Sequence, residues 1–317
     1  MKIIKHSDIT SLNISPLQYM QWVEEALLSQ YKSVLPPKTS IALPNDGFFN
    51  TMPCSIPTSN VMGVKIINRF LCNEPALDAS LLLYDATTGE QKALMDATLI
   101  TTMRTGAVAA TSILKLRKKC ATSILSFMGL GVTARATLLC LLDTIPEIAL
   151  TIRLLRYKDQ AEKFIERFKD YDNICFQIVE DYEQLFTDAD IIVSCITSAT
   201  KIYGKDEWFK EGVLVIPIHT RGFQNCDLFF DKVYGDLREQ ICHFKHFNEF
   251  KYFNELSKVI QGEDKGREND SERILVYNIG IALHDVYIAD KIYTLLTEKV
   301  ETIGTFDFKE EMEKFYL

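Results

Sequence analysis

Ser123-Ile-Leu-Ser-Phe-Met128-Gly129-Leu-Gly131-Val132-Thr133-Ala134-Arg135 joins an apolar run to a glycine turn and then to a helical pattern. Ile124 to Met128 reads as a buried strand, and Ala136, Leu138, Leu139 and Leu142 continue as a helix. Strand, G-x-G-x-x-A turn and helix make the first step of a dinucleotide-binding βαβ unit. Gly129 permits the tight turn, Gly131 lets the backbone approach a pyrophosphate, and Ala134 lets the helix pack close to the strand. The helix start at Val132, Thr133 and Ala134 then offers N–H groups and a partial positive charge to phosphates. Such a turn can also be purely structural; the strand before it and the helix after it favour the nucleotide.

The chain downstream alternates in the way a parallel doubly wound sheet requires. Strands are expected at 122–128, about 148–155, 175–179, 189–194 and 213–218, with 274–277 able to add another. Residues 263–272 are polar and read as a solvated loop. A long helix is expected from Ile279 to about Thr297, followed by an amphipathic last dozen residues.

Upstream, Ser15-Pro16-Leu17-Gln18 reads as a helix start: Ser15 the N-cap, Pro16 the first helical residue, Gln18 the capping-box partner. Strands follow at 39–43, 61–67 and 81–84. Asp85-Ala-Thr-Thr-Gly89 is a turn, and 91–95 returns as its hairpin partner. A helix begins near Asp96 and runs past Ala110.

With 317 residues, 47% hydrophobic and 25% charged, the chain can bury more than one core without staples. A net charge of −8 and the lack of a basic run argue against nucleic acid or an anionic membrane surface as partner. The N-terminus lacks a signal-peptide core, and no apolar run reaches the length of a membrane span. The eight cysteines are scattered without a C-x-x-C pair, which suits a reduced, cytoplasmic chain, most of them as small core residues, and gives no metal site.

A dinucleotide domain usually carries an acid at the end of its second strand, to bond the adenosine ribose. This strand ends at Ile152-Arg-Leu-Leu-Arg156-Tyr-Lys158. Arg156 and Lys158 can meet a 2′-phosphate or stand as solvated loop cations; the first reading favours NADP over NAD. Thr197 and Ser198 close the fourth strand, where a nicotinamide half is expected.

Val64-Lys65, Tyr84-Asp85-Ala-Thr-Thr-Gly89, Leu94-Met95-Asp96, Thr101-Thr-Met-Arg104-Thr-Gly-Ala-Val-Ala-Ala110, Met128-Gly-Leu-Gly131 and Asn278-Ile-Gly280-Ile-Ala282 resemble the ornithine cyclodeaminase/μ-crystallin family. The resemblance covers most of the chain, and T-x-x-R-T-x-A-x-x-A is its most specific segment. It implies an α/β protein with a Rossmann-type doubly wound parallel sheet inserted in a second α+β domain. Residues 1–118 are then the substrate-binding and dimerisation domain, 119–285 the Rossmann dinucleotide-binding domain, and 286–317 C-terminal helices packing back on the first. It further implies a homodimer that handles a small amino or imino acid with NAD(P).

The same resemblance assigns Arg104 to the substrate carboxylate, Lys65 to the substrate, and Lys38 to a third cation that is usually Arg. A guanidinium offers bidentate geometry that an ammonium lacks. Alternation puts Lys65 on the opposite strand face from Val64 and Ile66. Two departures follow. Asn50 stands where cyclodeaminases carry a Glu, and Arg221 stands at or near their amine-proton Asp; neither is a carboxylate base. His219 and Asp227 are the nearest titratable substitutes, and Arg221 can serve a second carboxylate. The expected function is an ornithine cyclodeaminase-like oxidoreductase. A net ketimine or opine-type reductase and a non-catalytic μ-crystallin-like NADP-binding protein are the alternatives.

Overall fold

The computed structural model describes residues 1–73, 76–120, 122–145, 149–197, 199–299 and 304–305. The expected amphipathic tail and Ser198 lie outside them. The chain divides into two compact units. One comprises Met1–Ile14, Tyr31–Thr101 and the chain from Ala282 onward; the other comprises Ser15–Gln30 and Thr102–Ile281.

In the first unit, among the described residues, six strands form one sheet: β1 (Lys2–Ile4), β2 (Thr39–Leu43), β3 (Gly47–Ile56), β4 (Val61–Arg69), β5 (Leu77–Asp85) and β6 (Gln91–Asp96). Their order is β1-β6-β5-β4-β3-β2, antiparallel except where β1 runs parallel to β6. The turn after β5 forms as its sequence predicts: Asp85 Oδ1 accepts the N–H groups of Thr87 and Thr88 at 2.9 and 2.8 Å. β3 was not legible in the sequence, because Pro53 and the polar Asn50-Thr51 pair break its alternation. Val61, Gly63, Lys65 and Ile67 point to the buried face of β4. The helix Ala282–Lys299 covers that face with Val286, Ala289 and Ile292, each fully buried.

In the second unit eight parallel strands are described: β7 (Thr122–Met128), β8 (Ala149–Leu155), β9 (Ile174–Val179), β10 (Ile191–Ser194), β11 (Leu214–Pro217), β12 (Lys232–Gly235), β13 (Phe253–Glu255) and β14 (Ile274–Tyr277). The order β13-β12-β14-β11-β10-β7-β8-β9 places the chain reversal between β7 and β10. Every residue of β10, β11, β12 and β14 is buried, as in a parallel sheet covered on both faces. β12 and β13 were not expected. Lys232 hides β12, yet its Nζ donates to Gly266 O and Glu268 Oε2, both at 2.8 Å. The 263–272 segment is a largely exposed loop, as expected, but Gly266 and Glu268 tie it to β12. Arg267 Nε adds a bond to Leu116 O at 2.7 Å.

The helix Pro16–Leu28 starts at Ser15, whose Oγ accepts the Gln18 N–H at 3.1 Å. The Gln18 side chain does not close a capping box; it donates to Gln21 at 3.1 Å. This helix packs against Val132–Thr144 and Leu256–Ile260 within the second unit. It buries Val23 and Leu27 completely, at about 2 kcal/mol each. All eight cysteines are free thiols, but Cys72, Cys120, Cys175 and Cys242 are exposed, so fewer are core residues than expected. Among the described residues no helix is long and apolar enough to cross a membrane.

Candidate active site

The glycine turn lies at the reversal of strand order, beyond the carboxyl ends of β7 and β10. Gly129 has φ +85°, and a Cβ there would lie 2.9 Å from the Cys195 carbonyl carbon and oxygen. Cys195 N–H in turn donates to Met128 O at 2.7 Å. Two backbones thus pass so closely that only glycine fits. Gly131 differs: it is exposed, and an added Cβ would meet nothing within 4 Å. It is the N-cap of Val132–Thr144, and no side chain caps that helix. Val132 is exposed, Thr133 half-buried, and Ala134 fully buried where the helix meets the sheet. This side-chain-free cradle fits a dinucleotide pyrophosphate.

Arg156 follows β8 directly, as expected for a residue near the adenosine ribose. Its guanidinium is shared by two carboxylates, Glu180 Oε1 at 2.8 Å and Glu162 Oε1 at 2.6 Å. Lys158 takes a left-handed backbone (φ +52°), with Nζ 5.5 Å from the centroid of the Tyr157 ring.

On the same sheet edge, Ser194 ends β10 and His219 stands just past β11. Ser194 Oγ and His219 Nε2 are 2.6 Å apart. Burial pushes the imidazole down to about 4, against a raising hydrogen bond at the Arg221 backbone. His219 is therefore neutral at pH 7 and is a weak base. Thr197 and Arg221 are exposed on the loops after β10 and β11. Asp227 stands apart from them. It is fully buried on Cys226–Phe229, where Tyr277 OH donates to its Oδ1 at 2.5 Å. Burial lifts its carboxyl to about 6 against that bond and the charge of His246.

Arg104, on the helix Thr98–Leu116, is 6% exposed. Its guanidinium turns its Nη1 and Nη2 toward Gly280, where a Cβ would come within 2.6 Å of Nη1. Asp236, just past β12 and 1% exposed, accepts the Gly280 N–H at 2.6 Å and Asn278 Nδ2 at 3.1 Å. Burial raises the Asp236 carboxyl, and those bonds and the Arg104 charge act the other way.

In the first unit Lys65 is fully buried, with Nζ 2.8 Å from Asp285 Oδ2. Burial and then the Asp285 charge push the neighbouring Cys54 thiol up to about 12. Register pairs Met52 with Lys65 and Asn50 with Ile67, so Asn50 shares the Lys65 face of the sheet. Asn50 Oδ1 is buried and has no hydrogen-bond partner among the described residues. Lys38 is exposed, just ahead of β2.

Sequence reading missed Asp236, Asp285 and Ser194 as members of these clusters. Asp236 carried a signal, an acid directly after the short run Lys232-Val-Tyr-Gly235. Asp285 carried one too, three residues past the Asn278–Ala282 motif. Among the described residues no three His, Cys, Asp or Glu side chains are grouped to hold a metal.

A sequence profile of the ornithine cyclodeaminase/mu-crystallin family matches residues 2–300. Alanine dehydrogenase of Archaeoglobus fulgidus is 28% identical over 313 residues, covering 92% of this chain and 94% of its own. The structure of Thermococcus litoralis Δ1-pyrroline-2-carboxylate reductase, in complex with NADH and L-proline, matches with a TM-score of 0.83 at 25% identity. It covers 97% of this chain and all of that one. An archaeal alanine dehydrogenase dimer with bound NAD gives a TM-score of 0.84 at 25% identity, over 98% and 99% of the two chains.

Proposed function

This chain belongs to the ornithine cyclodeaminase/mu-crystallin family, and from that premise we propose that it is an NAD(P)-dependent oxidoreductase of small amino or imino acids. The observation that carries this reading is the Gly129–Gly131 cradle at the strand reversal, open where a pyrophosphate would lie. A nicotinamide held there would supply hydride exchange at the substrate α-carbon. Arg104 meets the substrate carboxylate, because a guanidinium can grip it with two parallel bonds. Lys65, oriented by Asp285, is a second substrate cation, and Lys38 a third. Asn50, with an unsatisfied buried oxygen, accepts from the substrate. Val132, Thr133 and Ala134 would offer N–H groups to the phosphates, and Thr197, on the loop after β10, would lie toward the nicotinamide half.

We read the direction as net reduction of an imine, ketimine or opine-type precursor. Asn50 and Arg221 offer no carboxylate base, and Asp227, the remaining acid among the expected candidates, is held in the core by Tyr277. His219, bonded to Ser194 and neutral, is the proton-exchanging group nearest the nicotinamide end of the sheet. Arg221, exposed beyond β11, is available for a second carboxylate.

The geometry around Arg156 supports NAD over the NADP favoured by sequence. A 2′-phosphate there would meet two glutamates that already share the guanidinium. A homodimer is the proposed assembly. Met62, Val64 and Ile66 of β4, with Leu82 and Tyr84 of β5, point away from the helix Ala282–Lys299 and give the sheet a second, apolar face for another copy.

The test is oxidation of NADH and NADPH followed by absorbance, with Δ1-pyrroline-2-carboxylate, other cyclic imines, and 2-oxo acids with ammonia or amines. Ammonia release from ornithine is assayed alongside. Steady NADH oxidation supports the reading. Ammonia release without net cofactor change replaces it with cyclodeamination. Tight cofactor binding with neither activity replaces it with a binding protein.

A further inference from the structure

The carboxyl ends of β12 and β14 carry a buried polar cluster that belongs neither to the glycine cradle nor to the core. Asp236 closes β12, Asn278 follows β14, and these strands are hydrogen-bonded neighbours. Asp236 accepts from Gly280 N–H and from Asn278 Nδ2. Ser112 Oγ, on the helix that carries Arg104, donates to Asn278 Oδ1 at 3.1 Å. Gln30 Nε2 donates to the Asp236 carbonyl at 3.1 Å, fixing its backbone from another helix. Gly280 completes the cluster with φ +84° and a bare Cα against the Arg104 guanidinium.

We propose that Asp236, Asn278 and Gly280 form a seat that positions the Arg104 guanidinium, and that this seat, rather than Arg104 alone, determines recognition of the substrate carboxylate. The inference rests on Arg104 being the carboxylate-binding residue. Three features argue for a seat. The guanidinium turns its Nη1 and Nη2 toward Gly280, within 2.6 and 3.1 Å of where a Cβ would stand, so the bare Cα is what leaves that N–H edge its room. Any side chain at position 280 would collide with the edge and displace the guanidinium. Asp236 is buried close enough to Arg104 for the guanidinium charge to act on its carboxyl, in a nearly water-free setting where such an interaction is weakly screened. Its two hydrogen bonds tie that carboxyl to the same 278–280 turn. Position and charge of the guanidinium are thus set by one unit of structure, and these residues act through Arg104 as positioning residues.

The test is calorimetric titration of the NAD⁺-saturated protein with L-proline and L-alanine, each against its carboxamide, which keeps the amine and loses the anion. The wild type is expected to bind one of the acids on the order of tenfold or more tighter than its amide, as a charge-assisted bidentate contact requires. Arg104→Ala should abolish that preference. Asp236→Asn and Gly280→Ala should reduce it by about tenfold, with amide binding and NADH affinity unchanged, which a general loss of structure would not do. If Asp236→Asn is insoluble, Gly280→Ala and Asn278→Ala decide the question. Variants of the seat that keep the acid preference while Arg104→Ala loses it overturn the seat and leave the role of Arg104 standing. A wild type without the preference, or an Arg104→Ala protein that keeps it, overturns both.

Discussion

Lys65 Nζ lies 2.8 Å from Asp285 Oδ2, and neither side chain is exposed to solvent. A strand residue and a helix residue thus form an ion pair beneath the sheet of the first unit. Burying two charges is costly, and the pair holds only while both partners are present. Lys65→Met or Asp285→Asn alone should destabilise by roughly 3–5 kcal/mol, since each strands a buried charge. Lys65→Met/Asp285→Leu should recover most of that loss while remaining inactive. Urea unfolding of the three proteins checks this. Single variants within about 1 kcal/mol of wild type would mean that the pair is not desolvated as its burial requires.

Two titrating groups of the second unit oppose one another in acid. His219 has a folded value of about 4, below its unfolded 6.5. The unfolded chain therefore binds the extra proton between those values, and this contribution to stability falls as pH drops from 6.5 to 4. Asp227 has a folded value of about 6, above its unfolded 3.8. The folded chain holds the extra proton there, so this contribution falls as pH rises from 3.8 to 6. Each effect is on the order of 3 kcal/mol. Relative to wild type, His219→Gln should gain stability as pH falls through its window, and Asp227→Asn should gain as pH rises through its own. Unfolding measured at pH 4, 5, 6 and 7 separates the two.

The two glycines of the cradle should fail differently. Gly129→Ala meets both a positive φ and the Cys195 carbonyl, so it should cost about 1–3 kcal/mol of stability. Gly131→Val extends into open space and should leave the melting temperature unchanged, yet lower NADH affinity by about tenfold or more where the pyrophosphate would pack. Fluorescence titration with NADH beside thermal unfolding gives both readouts. Loss of stability without loss of affinity in Gly131→Val would contradict the assignment.

Much of this arrangement was legible because it is local. The β7–turn–helix segment, the Ser15 cap and the Asp85 turn are each specified within a few residues, and the structure forms all three. What escaped reading depends on remote partners. Lys232 looks like a residue that excludes a strand until Glu268 and Gly266, far along the chain, satisfy its ammonium. Asp285 and Asp236 resemble ordinary helix and loop acids until Lys65 and the 278–280 turn are brought to them by folding. Arg156 looks available to a phosphate until Glu162 and Glu180 claim it, because the latter reaches it from the end of a neighbouring strand.

That arrangement makes cofactor choice testable by charge alone. Glu162→Gln/Glu180→Gln releases Arg156, and NADPH affinity should rise by about tenfold while NADH affinity stays within a factor of two. The melting temperature should not move, since these pairs are exposed. Titration with both cofactors, repeated at high salt, measures it. A wild type that already prefers NADPH would show that the glutamates yield to the phosphate.

The central claim is redox chemistry at the α-carbon of an amino or imino acid. Its most direct test uses NADH deuterated at C4, in each stereochemical form, with whichever imine or 2-oxo acid and amine pair oxidises NADH fastest. The account predicts that one of the two forms yields an amino-acid product carrying a single deuterium at its α-carbon, detected by mass spectrometry and proton NMR. Product without α-deuterium from either form, or no oxidation of NADH by any member of the panel, would contradict it.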